Sequence, residues 1–191
     1  MKGPLTLILM LLLMMACSEE ERIPSLASQA PDDVLVESFG VEYLFSDSSR
    51  VNSRMKAYRV IEREEEGEAE GDDKIVIHYL SGGVKVEFLN NRGNVHSFIQ
   101  ADSGKFHREK EKAELWGNVF LKNHKDEELK TQQLFWDKEK DSVYTKKFVQ
   151  ITTADKMITG DGGFVSNTDF TAYTIYGTRG EMEIEDDEGL N

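Results

Sequence analysis

Cysteine is nearly absent: Cys17 is the only one in 191 residues, so no disulfide can close within the chain. Proline is scarce too. None occurs beyond Pro31, which leaves the long downstream region free of residues that interrupt a strand ladder. Basic residues are outnumbered, 23 against 36 acidic ones, for a net charge of −13. That balance argues against nucleic acid as a partner, because phosphate binding needs clustered positive charge. It also disfavours direct attachment to anionic headgroups. Sustained helical periodicity is missing as well. His78, His96, His107 and His124 are scattered, show no metal-ligand spacing and have no cysteine beside them, so no metal and no cofactor are expected. Gly160-Asp161-Gly162-Gly163 lacks the lysine and Ser/Thr of a phosphate loop and reads as a tight turn. No two carboxylates stand out as an acid and base pair. An enzyme is not expected.

The start of the chain carries the sharpest local signal. Lys2 supplies a basic end, Leu5 to Ala16 is an almost unbroken apolar run, and Cys17 follows at once. The run stops short of the about 20 apolar residues that a membrane-crossing helix needs, and it reads as an export signal spanning residues 1–16. Met14-Met15-Ala16-Cys17 resembles a lipobox, with Met14 where leucine is usual, so Cys17 is the expected lipidation site. Each CH₂ of an attached acyl chain contributes about 0.8 kcal/mol to holding the protein on a membrane. Residues 17–33 contain Pro24, Pro31, serine, alanine and acids without periodicity, and read as a flexible tether reaching on the order of 50 Å. Two acidic stretches, Glu62 to Asp73 and the tail 181–191, read as solvated segments.

Between the tether and the tail, residues 34–180 are of single-domain size and alternate with period two. Val84, Val86 and Phe88 are interleaved with Lys85 and Glu87, and Asn90-Asn91-Arg92-Gly93 then leads into Val95 to Ala101, a hairpin signal. Further charged clusters at His107 to Lys112, Asn123 to Glu128 and Asp137 to Ser142 separate short apolar runs. Laying Ile99 to Leu121 over Leu129 to Ile151 reveals a gapless repeat: Ile99 falls on Leu129, Ala101 on Thr131, Gly104 on Leu134, Phe106 on Trp136, Ala113 on Val143, Val119 on Val149 and Leu121 on Ile151. A weaker copy starts at Ile158 with Gly160, Gly163 and Val165, and an earlier one includes Ala57 and Val60. Such repeats bury a continuous apolar face only by stacking on their neighbours. The expected fold is all-β, an elongated two-sheet antiparallel jellyroll built from repeated strand pairs. Around Leu115-Trp116-Gly117-Asn118-Val119-Phe120-Leu121 both faces are apolar, and the face that repeats is taken as interior.

The string Leu115-Trp116-Gly117-Asn118-Val119, then Leu129-Lys130-Thr131-Gln132-Gln133-Leu134-Phe135-Trp136-Asp137, Val143-Tyr144-Thr145 and Phe148-Val149-Gln150-Ile151-Thr152, resembles the LptC family of lipopolysaccharide-export proteins. Ile158 to Gly162 and Asp169 to Ile175 continue the likeness. The resemblance implies a taco-shaped β-jellyroll on the periplasmic side of the inner membrane. Such a protein accepts lipopolysaccharide from an inner-membrane ABC transporter and passes it to the next β-jellyroll of a periplasmic bridge. Family members often use an N-terminal transmembrane helix as anchor, whereas this chain offers Cys17.

A carrier of acylated sugar lipid needs an apolar trough and an opening for the polar head. Ala101, Phe106, Leu115, Val119, Leu121, Leu134, Trp136, Val149 and Ile151 are the expected lining, and the same residues would equally serve as a plain sandwich core. Val41 and Tyr43 on the first strand, and Phe170, Tyr173 and Ile175 on the last, are the expected partner edges. A second reading is a lipid-anchored β-jellyroll that binds another lipid or glycolipid, or a surface lipoprotein. The sequence leaves open whether the inner or the outer membrane holds the anchor.

Overall fold

A computed structural model describes residues 34–182 apart from 48 and 68–72. The export signal, the tether with Cys17, and residues 183–191 of the tail lie outside the described residues. Eleven strands follow one another: β1 (Val34–Asp47), β2 (Arg50–Glu65), β3 (Ile75–Leu89), β4 (Val95–Ala101), β5 (Ser103–His107), β6 (Lys112–Asn123), β7 (Glu128–Asp137), β8 (Ser142–Thr145), β9 (Val149–Thr152), β10 (Lys156–Asn167) and β11 (Tyr173–Met182). The charged clusters fall at the turns, because polar side chains are tolerated where the backbone leaves the sheet. The first acidic stretch divides differently. Glu62 to Glu65 are not loop but the end of β2, where Glu64 takes Lys74 and Glu65 takes Lys105 as cross-strand partners that offset the charge. At the other end, β11 runs on to Met182, two residues into the tail stretch.

All pairings are antiparallel and join into one sheet, ordered β1-β2-β3-β4-β6-β7-β8-β10-β11, with β5 beside β3 and β6, and β9 beside β7 and β10. The two expected sheets are therefore two leaves of a single folded sheet. The crease crosses the strands near their middles, at Gly40, Tyr58, Gly82-Gly83, Asp102, Gly117-Asn118, Gln132, the 146–148 break between β8 and β9, Asp161-Gly162 and Gly177. Gly83 N–H donates to Asp102 C=O at 3.1 Å and Asp102 N–H to Gly117 C=O at 2.9 Å, so the ladder continues through the bend.

Local chemistry makes the bend. Gly117 (φ 77°) and Asn118 (φ 46°) are consecutive left-handed residues, a conformation open to glycine and tolerated by asparagine. They form a bulge in β6 between Trp116 and Val119. Inward-facing residues consequently fall out of strict alternation at the crease. Ala101 and Gly104 are both interior, as are Thr131 and Leu134, whereas Leu115 and Val119 are four apart. The repeat pairs from Ile99 to Ile151 all occupy buried positions, as do Ala57 and Val60. The copy beginning at Ile158 departs from expectation beyond Gly160. An extra residue between Gly160 and Gly163 shifts the register, so Phe164 and Ser166 face inward with Thr145 and Val143, while Val165 pairs with Tyr144 on the outer face. Gly160 to Gly163 is thus a bulge within β10 and not a turn between strands, because the chain must bend there without leaving the sheet.

Candidate functional site

The inner surface is laid out in rows that cross the strands. On the first leaf, Tyr43, Met55, Val86, Ile99, Leu121, Leu129, Ile151 and Ile158 stand side by side from β1 to β10. On the second leaf a row runs His78, Phe106, Ala113, Trp136, Val143, Ser166 and Tyr173. The leaves meet face to face. Phe45 on β1 reaches Trp136 on β7 with ring centroids 5.0 Å apart, and Phe88 meets Trp136 at 5.6 Å, although these strands are not neighbours in the sheet.

All nine expected lining residues fall in this one interior, in a single apolar cluster: Ala101, Phe106, Leu115, Val119, Leu121, Leu134, Trp136, Val149 and Ile151. Ala101 is the most exposed of them at 7%. Their side chains touch one another and not solvent, so a tail could enter only by replacing those contacts. Glycine at position 104 helps close the space: a Cβ there would sit 2.8 Å from Leu115 Cδ2.

Opposite the crease, the mouth is held by contacts that alternation alone does not disclose. Phe45 and Phe88 add to the aromatic seam, and Phe106 meets both Phe45 at 5.6 Å and Tyr43 at 5.1 Å. Tyr43 Oη lies 2.8 Å from His78 Nδ1, joining the leaves at the β1 end. Burial keeps the His78 imidazole below its usual range despite Glu62 Oε1 at 3.7 Å, with Arg108 adding to the lowering. Burial and the Glu62 charge together push the Tyr43 phenol up to about 12, against a smaller pull from Arg108. The hydrogen bond therefore joins an un-ionised phenol to a neutral imidazole, its direction set by the tautomer. The signal available for Tyr43 and Phe45 was the Val41-Tyr43-Phe45 alternation; nothing local points from His78 to a residue 35 positions away.

At the β10 end a loop of the second leaf crosses to the first. Ser97 Oγ donates to Thr168 C=O at 2.5 Å, and Asn123 Nδ2 donates to Phe170 C=O at 2.8 Å. Asp141 accepts from the Thr168 hydroxyl. A polar cavity of about 380 Å³ opens next to this loop, walled by Asn52, Ser53 and Phe88 of one leaf and Trp136, Asp141 and Thr168 of the other side.

The expected partner edges divide. Val41 and Tyr43 lie on β1, and Tyr173 and Ile175 on β11; each is partly buried against the core, and each strand has one paired neighbour. Phe170 is not on an edge strand. It sits in the turn before β11 with φ 53° and is fully buried, because its ring packs inward on Phe164 and Tyr173. Large apolar side chains do stand exposed on the edges: Leu35, Val36, Phe39 and Leu44 on β1, and Tyr176 on β11.

Among the described residues no group of three or more histidine, cysteine, aspartate or glutamate side chains is placed to hold a metal. His96 and His124 stack at 3.8 Å between centroids at the tip of the first leaf. Nor is any helix among the described residues long and apolar enough to cross a membrane. Compared with known proteins, residues 5–183 match the family described as lipopolysaccharide-assembly, LptC-related. No curated protein matches the chain.

Proposed function

The chain belongs to the LptC-related family of lipopolysaccharide-assembly proteins and so takes part in lipopolysaccharide transport, and from that premise we propose that it is a passive carrier whose two leaves part at the mouth to take acyl chains between them. In this reading it accepts the lipid from an inner-membrane ABC transporter on its β1 side and hands it to the next β-jellyroll of a periplasmic bridge on its β11 side. A lipid on Cys17 holds it to the membrane.

One observation carries the proposal: on the first leaf a row of inward side chains, apolar but for the Tyr43 hydroxyl, runs from the edge strand β1 across to β10, which lies beside the other edge strand β11, and each edge strand keeps one side unpaired. An unpaired edge offers backbone donors and acceptors to a similar edge, which would extend the sheet and its trough into a neighbour. A tail passed along such a joint never crosses water.

The energetics favour exchange over filling. A fully buried twelve-carbon chain is worth about 10 kcal/mol at about 0.8 kcal/mol per CH₂, which alone would make release slow. Parting the leaves forfeits contacts such as Phe45 on Trp136 and Phe88 on Trp136, so the net gain is a small difference between two large terms. Shallow binding of that kind suits hand-over.

A photoreactive residue placed at Phe106, and separately at Trp136, in the membrane-anchored protein inside cells tests the reading. Crosslinks to lipopolysaccharide at both, and none at Tyr144 on the outer face, are expected. Folded, correctly located protein without such crosslinks would overturn it and leave these side chains as core alone.

A further inference from the structure

The loop between β10 and β11 has features that a simple connection does not need. Phe170 adopts a left-handed backbone conformation that bulky residues avoid, yet its ring is fully buried. Its carbonyl and that of Thr168 are met by Asn123 Nδ2 and Ser97 Oγ, side chains of the opposite leaf that stand side by side at the strand ends and are both buried. Ser97 is 1% exposed and Asn123 4%, so both polar groups are desolvated where they meet this loop, and Asn123 also caps the 124–127 turn. Asn167 stiffens the loop from within, its Oδ1 accepting from the N–H groups of Thr171 and Ala172. The anchoring bonds link a turn of one leaf to strands of the other and can break without disturbing any strand pairing.

We infer that the Phe170 loop is a detachable plug: the ring occupies an acyl-chain site at the β11 end of the trough, and release of its clasp to Ser97 and Asn123 opens that site for the outgoing lipid. This rests on the carrier reading above. Strain at Phe170 favours release, and the two hydrogen bonds oppose it. An incoming chain gains the apolar surroundings of Phe164 and Tyr173 that the ring vacates, while the departing ring loses the same contacts. A neighbour docked on β11 would find the plug immediately beside its own edge, since only Thr171 and Ala172 separate Phe170 from the strand.

The test uses the full-length protein in cells, with a photoreactive residue at Tyr173, whose ring lies 5.2 Å from that of Phe170. Three loop variants are compared. Ser97→Ala removes one clasp. Asn123→Asp, made in a Glu127→Gln background because the same Nδ2 also donates to Glu127 Oε2 at 2.6 Å, removes the other donor but keeps the Oδ1 acceptor that caps the 124–127 turn through Lys125 and Glu127 N–H. Phe170→Gly removes the ring and the strain together. Lipopolysaccharide crosslinking at Tyr173 is expected to rise about fivefold for each hydrogen bond lost and most in Phe170→Gly. The Phe106 site serves as reference. Crosslinks at Phe106 with no change at Tyr173 in Ser97→Ala and Asn123→Asp would refute the plug while leaving the carrier standing. Absence of crosslinks at both sites in every variant would refute the carrier itself. Because Ser97→Ala deletes a single oxygen, it keeps the test decisive should Phe170→Gly fail to fold.

Discussion

The crease and the mouth are the two long borders of the same folded sheet, and they are held by opposite means. At the crease the backbone does the work: every long strand or strand pair passes through it, and left-handed residues such as Gly117 and Asn118 set the bend. At the mouth, among the described residues, the leaves are joined through side chains, among them the Phe45-Trp136-Phe88 seam, the Tyr43-His78 hydrogen bond and the Ser97 and Asn123 clasps. One border resists opening through covalent continuity. The other is a sum of contacts of modest individual strength. A sheet built this way hinges on one side and opens on the other.

The comparison breaks most visibly at Trp136. Trp136→Ala removes the ring that both leaves share, and a loss of about 3–5 kcal/mol in urea unfolding is expected; a loss below about 1 kcal/mol would mean the leaves do not depend on that contact. Next is the crease. Gly117→Ala forces an L-residue into a left-handed conformation, costing about 1–2 kcal/mol, and its Cβ would lie 2.7 Å from Asp102 Oδ2, which adds to the cost. The same substitution should leave hydrogen exchange at the mouth unchanged relative to global stability.

Acid should loosen the mouth through His78. Its native pKa lies below the ordinary 6.5. As pH falls through 6.5 the unfolded chain takes up a proton that the folded one refuses, so stability declines below that value until the folded group titrates. His78→Gln, which can still accept from Tyr43, should flatten the profile just below about pH 6.5. An unchanged profile would show that the buried imidazole contributes nothing to closure. The smallest effect belongs to Ser97→Ala, about 1 kcal/mol in global stability, with faster exchange confined to the amides of residues 168–172.

The legible part of this architecture was the part governed by short-range periodicity. Val84-Val86-Phe88 alternates because a pleated strand has two faces, and Ile99 to Ile151 repeats without a gap because successive strand pairs cross the same two leaves. Of the nine residues proposed to line the trough, that repeat places all but Leu115 in the buried interior, and Leu115 joins them by sharing a strand face with Val119 and Leu121. The crease was not legible, since a change of phase between Ala101 and Gly104 looks the same in a sequence as the end of one strand and the start of another. One extra residue near Asp161 then carried the extrapolation to Val165 onto the wrong face. Phe170 reads as part of the last, outgoing edge strand from its position near the end of the domain and the family resemblance alone. What turns it inward is a carboxamide 47 positions earlier, at Asn123, and its turn is held by a hydroxyl 71 positions before Thr168, at Ser97. Contacts of that range leave no periodic trace.

The central claim is that the leaves must part at the mouth for lipid to enter, and closing the mouth covalently tests it most directly. Asn52 and Asp141 stand on opposite walls of the mouth cavity, and Cys17 is the one native cysteine. Cysteines introduced at both positions would be bridged by a short thiol-reactive, cleavable linker in a protein that carries the photoreactive residue at Phe106. Bridged protein should give no lipopolysaccharide crosslink and regain it when the linker is cut. Undiminished crosslinking with the mouth bridged would contradict the account.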